Sequence, residues 1–205
     1  MLALSRTLST PPVRAASEPT PSEIGVARRL FDEGKAAEDS GQFRVAADKF
    51  RRAASIKDTP GIRFHLARCE EEQGAFVEAL LEYDRARELL DGGIKAADVE
   101  KLLPAARERV RAKVAMLTVK LPEGVKNVSV ELDGKMLSGS VVGVPMPINP
   151  GRHRLTAASV GRASFAADLE LGNGDVRQLA VELPVSSTAP ARVAQPAPAA
   201  APPAR

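Results

Sequence analysis

The sequence predicts an α+β protein of two domains, an antiparallel helical stack followed by a small all-β sandwich. Three observations predict it. Residues 41–53 (GQFRVAADKFRRA) and 74–86 (GAFVEALLEYDRA) echo each other at an offset of 33 residues. Apolar residues up to Val114 recur every three or four positions. From Leu117 they alternate in short runs, cut by Gly, Asn and Pro turns. A period in the low thirties marks a helical repeat, and short alternating runs between turns mark a β sandwich. The expected organisation is a disordered leader or signal-peptide remnant over 1–22 and a helical repeat domain over 23–116. A β-sandwich domain over 117–184 and a disordered Pro/Ala-rich tail over 185–205 follow.

The helical elements follow in order. A first helix starts near Ser22, carries Glu23 in its first turn and ends at Gly41. A second covers Phe43 to Lys57. The turn Asp58-Thr59-Pro60-Gly61 opens a third, whose apolar positions are Ile62, Phe64 or Leu66, Ala67 and Cys69. A fourth runs from Phe76 to Leu90 and stops at Asp91-Gly92-Gly93. Gly41 and Gly74 occupy positions where a left-handed residue ends a helix, which only Gly adopts cheaply. Small Ala46/Ala79 and Ala53/Ala86 allow close helix approach, and Phe50 and Tyr83 fill the space between. Val99, Leu102, Leu103, Ala106, Val110 and Val114 form one further stripe, with Pro104 kinking that helix or opening its second part. This is the expected cap of the stack, with Glu100, Lys101, Arg107, Glu108 and Arg111 on its polar outer face.

The first unit carries Gly34, Ala37, Gly41, Phe43, Ala46, Phe50 and Ala53. The second carries Ala67, Gly74, Phe76, Ala79, Tyr83 and Ala86. This small–aromatic–small pattern resembles the tetratricopeptide repeat. The period is one short of the usual ~34 residues, and Leu30 stands where an early aromatic is usual. The resemblance implies a groove lined by the first helix of each unit. Carried over by position, that groove holds Arg28, Phe31, Lys35 and Glu38, then Phe64, Arg68 and Glu71. It would hold a protein or peptide ligand by aromatic anchors and ion pairs. Phe31 and Phe64 fit inter-helix core equally well.

In the β half, Leu117–Leu121 and Val128–Leu132 alternate, and Asp133-Gly134 is a hairpin turn. Arg152–Ala157 alternates after Asn149-Pro150-Gly151. Phe165, Ala167, Leu169 and Leu171 form another face. Gly172–Asp175 turns the chain into Arg177–Leu183. Pro122-Glu123-Gly124-Val125, Leu132-Asp133-Gly134-Lys135, Gly143-Val144-Pro145 and Pro150-Gly151-Arg152-His153 resemble the PEGA domain, a β-sandwich module of bacterial envelope proteins. The resemblance implies a structural or binding module that contacts a cell-wall or surface component, and brings no catalytic residues.

Charge removes some function classes. The net charge of +3 comes from the chain ends. Residues 23–113 hold 18 basic and 18 acidic side chains, and residues 117–184 hold 7 of each. Neither half is a basic body for nucleic acid. No apolar run is long enough for a transmembrane helix. The single Cys69 excludes an internal disulfide and reads as a small buried residue. His65 and His153 have no metal-ligand spacing, and no phosphate loop or nucleophile elbow is present. Glu70, Glu71 and Glu72 are consecutive and read as a solvated helix face. The expectation is therefore no catalytic, cofactor or metal site. The expected function is a non-catalytic scaffold of the bacterial cell envelope, in the periplasm. The alternatives are a cytoplasmic sensor portion of a larger signalling protein, and a cell-wall or carbohydrate-binding module on a helical spacer.

Overall fold

A computed structural model describes residues 18–186. The expectations for the earlier leader and for the tail beyond lie outside the described residues. Five helices precede seven strands, an α+β layout in two units. One compact unit runs through Ala115 and takes in Pro147–Pro150 and Gly172–Asp175. The other comprises Met116–Met146, Gly151–Leu171 and the chain from Val176.

The helices are α1 (Pro21–Asp39), α2 (Phe43–Ile56), α3 (Pro60–Glu72), α4 (Phe76–Asp91) and α5 (Ala97–Arg111). α1 begins inside the stretch read as leader, because Thr20 caps it. The Glu23 N–H donates to the Thr20 hydroxyl at 3.3 Å, and the Thr20 N–H donates back to the Glu23 carboxylate at 2.7 Å. This reciprocal pair satisfies two orphan donors of the first turn. Thr59 caps α3 through the Ile62 N–H, with Pro60 next in sequence. The two repeat turns close identically. Gly41 has φ 74° and Gly74 φ 76°. Beyond them the Gln42 N–H reaches the Ala37 carbonyl at 2.8 Å, and the Ala75 N–H reaches that of Glu70 at 3.0 Å.

The 33-residue echo is an echo of packing. Phe31 and Phe50 lie 5.6 Å apart at an interplanar angle of 56°. Their counterparts Phe64 and Tyr83 lie 5.4 Å apart at the same 56°. Ala46, Ala53, Ala79 and Ala86 are completely buried around these rings. Helices pack in sequence, α1 on α2, α2 on α3, α3 on α4 and α4 on α5. A single helix passes through Pro104, so no second segment opens there. Val99, Leu103, Ala106 and Val110 bury against Phe64 and Tyr83, but Leu102 is 52% exposed. The stripe is narrower than its spacing implied.

The β region forms two sheets. Strands β1 (Ala115–Lys120), β4 (Met146–Ile148) and β7 (Val176–Ala180) form one, in the order β4-β1-β7. Strands β3 (Lys135–Met136), β2 (Ser129–Leu132), β5 (Gly151–Ala158) and β6 (Phe165–Leu171) form the other, in that order. The second sheet is antiparallel throughout, in register Val130 opposite Ala157 and Leu155 opposite Ala167, and the chain leaves it for β4 between β3 and β5. Asp133 and Gly134 both take positive φ, as the two-residue hairpin requires. β1 and β7 pair in parallel, which adjacent alternating runs do not announce. β1 is covered on both faces, since Leu117, Thr118 and Val119 are all buried. β7 ends at Ala180, and Val181 and Leu183 bury outside a strand. Val185, read as the start of the tail, bridges to Arg162.

Candidate functional site

The first helices of the two units, α1 and α3, carry the residues expected to line a groove. The structure divides them by role. Phe64 is 6% exposed and belongs to the core with Tyr83, which removes it from any ligand face. Phe31 is half-buried and packs on Phe50 and His65. Arg28 and Arg68 are exposed, and Lys35 is half-buried.

Glu38 is a buried ion-pair hub rather than a ligand contact. Its side chain is 3% exposed. Lys35 Nζ lies 3.1 Å and His65 Nδ1 2.9 Å from its Oε2, and Arg68 Nη1 lies 3.3 Å from its Oε1. The His65 and Arg68 contacts are not aligned as hydrogen bonds, so Arg68 acts as a close charge partner and the His65 ring as a close polar neighbour. Burial opposes the carboxylate's charge, but His65, Lys35 and Arg68 outweigh it and hold its pKa below the usual range. His65 is also packed among Phe31, Phe50 and Phe64. Glu38 therefore ties α1 to α3.

Glu71, 33 residues later, does the same work for the next pair of helices. It accepts from Arg109 Nε at 2.8 Å and Nη2 at 2.7 Å, and from Lys113 Nζ at 3.3 Å. Arg109 is the first cause of its lowered pKa. The Tyr83 hydroxyl donates to it at 3.4 Å. Of the acidic run only Glu72 is solvent-exposed, so the solvated-face reading fails for Glu70 and Glu71. Glu70 is 4% exposed, with Arg51 Nη2 at 3.0 Å from Oε1 and no hydrogen bond to Oε2. Burial pushes its carboxyl up to about 7, which Arg51 only partly offsets. Cys69, wholly buried, has its thiol pushed up by burial to about 12 and is inert at neutral pH.

What remains open is a cavity of about 370 Å³ between the first half of α1 and the start of α3. Ile24, Ala27, Arg28, Phe31 and Asp32 line it from α1. Lys57 and Thr59 line it from the connection, and Gly61 and Ile62 from α3. Of the groove residues expected from sequence, only Arg28 and Phe31 reach it. Lys57, Thr59 and Ile62 were missed because they follow the echo and have no periodic marker. His65 was missed for the same reason, since Asp32 stands at its position in the first unit.

In the β region Asp133 gathers a smaller cluster. Its Oδ2 lies 2.7 Å from His153 Nδ1, and its Oδ1 accepts from the Arg154 N–H at 2.8 Å. Arg154 Nη1 donates to Asp168 at 3.0 Å. The Asp133 contacts fix the β2–β3 turn to β5, and the Arg154–Asp168 pair joins β5 to β6. No group of three or more metal-ligating side chains occurs among the described residues, and no helix there is long and apolar enough to cross a membrane. Fold and site together define an α+β protein whose helical half repeats one helix pair, ends in a further helix and carries an open cavity between α1 and α3, with a smaller one of about 240 Å³ between α4 and α5. Comparison with family models and with curated proteins finds no match for this chain.

Proposed function

We propose that this chain is a non-catalytic interaction protein that holds a segment of another protein against the first helices of its helical stack. The observation that carries this reading is the cavity beside Phe31. The other expected groove residues are spent on the core or on ion pairs, whereas this surface is concave and lined by both apolar and charged side chains. The tetratricopeptide-like pattern supports the same use of these helices. The β half is read as a module for a surface component of a bacterial envelope, on its PEGA-like turns, which favours the periplasm.

Site-directed photo-crosslinking in cells tests the reading. A photoreactive residue at position 32 is expected to trap a discrete partner, whereas one at the exposed Arg52 of α2 is not. Equal labelling at both positions, or none at 32, would sink it. Fractionation of the producing cells tests the location, and recovery only from the cytoplasm would count for the sensor alternative.

A further inference from the structure

We propose that the cavity between α1 and the start of α3 takes one bulky apolar side chain of a peptide that carries a carboxylate beside it. This rests on the peptide-binding reading above and names the class of peptide. The apolar part follows from the lining. Ile24, Ala27, Phe31 and Ile62 supply hydrocarbon and an aromatic ring, and about 370 Å³ accommodates a Leu, Ile or Phe side chain with room for its backbone. A bare anion would leave this surface unused.

The acidic part follows from the charges. Arg28 lines it from α1 and Lys57 from the α2–α3 connection. Neither has an ion-pair partner among the described residues, whereas Lys35, Arg51, Arg63 and Arg109 in the same unit are all engaged. Two cations face the single acid Asp32. A carboxylate next to the inserted side chain meets an unspent guanidinium that can grip it with two N–H donors. A polyanion such as nucleic acid is disfavoured by the even charge balance of the unit and by the apolar lining. Gly61 lines the cavity, and a Cβ built there meets nothing within 4 Å. A larger residue at this position would occupy the space without straining the helix.

Panning a phage library of random decapeptides against the full chain tests the proposal. The expected consensus is Leu, Ile or Phe adjacent to Asp or Glu. The synthetic consensus peptide should lose about tenfold in affinity to the Arg28→Ala/Lys57→Ala double variant, the size of a lost charged hydrogen bond. Gly61→Leu should abolish binding, with circular dichroism and the thermal midpoint showing that it stays folded. Arg28→Ala/Lys57→Ala carries the test if it does not. A basic consensus, an apolar consensus without an acid, or a peptide bound equally by both variants would overturn the assignment while leaving peptide binding elsewhere on the stack. Enrichment of no peptide at all would count against peptide binding itself.

Discussion

Single residues set the spacing of this protein, and two of them give opposite signs to ordinary expectations. Gly34 lies inside α1, where Ala would normally raise stability by up to ~1 kcal/mol. A Cβ at Gly34 would stand 2.7 Å from the Phe50 ring, and that ring is fixed between Phe31 and His65. Gly34→Ala is therefore expected to destabilise by about 1–3 kcal/mol, measured by urea unfolding. The counterpart Ala67 already carries a Cβ, so the two units differ at this one contact. Glu70 inverts the usual carboxylate rule. Its pKa of about 7 in the folded chain lies above the ordinary 4.5. Between these values the folded state holds the extra proton, so stability falls as pH rises from 4.5 to 7 and levels off above. Arg51 faces it from α2, and Glu78 and Glu82 of α4 add to the repulsion. Glu70→Gln is expected to remove this slope, at most about 1.4 kcal/mol per pH unit, in unfolding curves taken across the range. An unchanged profile would show that Glu70 titrates normally.

At the scale of elements, the repeat is held by an aromatic pair within each hairpin and a buried carboxylate between hairpins. Phe50→Ala and Tyr83→Ala are each expected to cost ~3–5 kcal/mol in chemical denaturation, as truncated core aromatics do. Near-neutral values would remove the rings from the core. The helix ends show how local and distant signals share the work. Thr20 and Thr59 cap α1 and α3 from the adjoining residue; the turn at Thr59 is readable in sequence, whereas Thr20 falls in the stretch read as leader. α4 has no side-chain cap of its own. Within the same compact unit its Val77 N–H donates to Asn149 Oδ1 at 2.8 Å, and Asn149 Nδ2 donates to Glu78 at 2.8 Å. Asn149→Ala is expected to speed amide exchange at Val77 and to cost about 1 kcal/mol, as the loss of a cap does. The sequence offered Asn149 only as a turn residue, because a partner 72 positions away leaves no periodic trace. The same holds for the parallel pairing of β1 and β7, which joins residues 60 apart such as Leu117 and Arg177.

For the whole molecule, even charge in both halves leads to a prediction of function. The chain should not be retained on double-stranded DNA near 0.15 M salt, where weak surface attraction is screened. Retention in an electrophoretic or fluorescence assay would show a basic patch that the balance conceals. The sequence by itself determined the α+β order of elements, the two helical units and the change from helix to strand near residue 115. Each of these rests on local periodicity, on Gly with a left-handed backbone or on a neighbouring cap, and such forces act over a few residues. Only the tertiary structure decided how the polar residues of the helical half are spent. The offset that aligned Phe31 with Phe64 also aligned Glu38 with Glu71, yet it could not say that both acids link helices, Glu38 buried and Glu71 partly so. That depends on partners supplied from farther along the chain, His65 and Arg68 of α3 in one case and Arg109 of α5 with Lys113 just beyond it in the other. The open cavity is likewise a product of packing. Arg28 and Phe31 follow the repeat pattern, but Lys57 and Ile62 meet them only because α3 folds back beside α1.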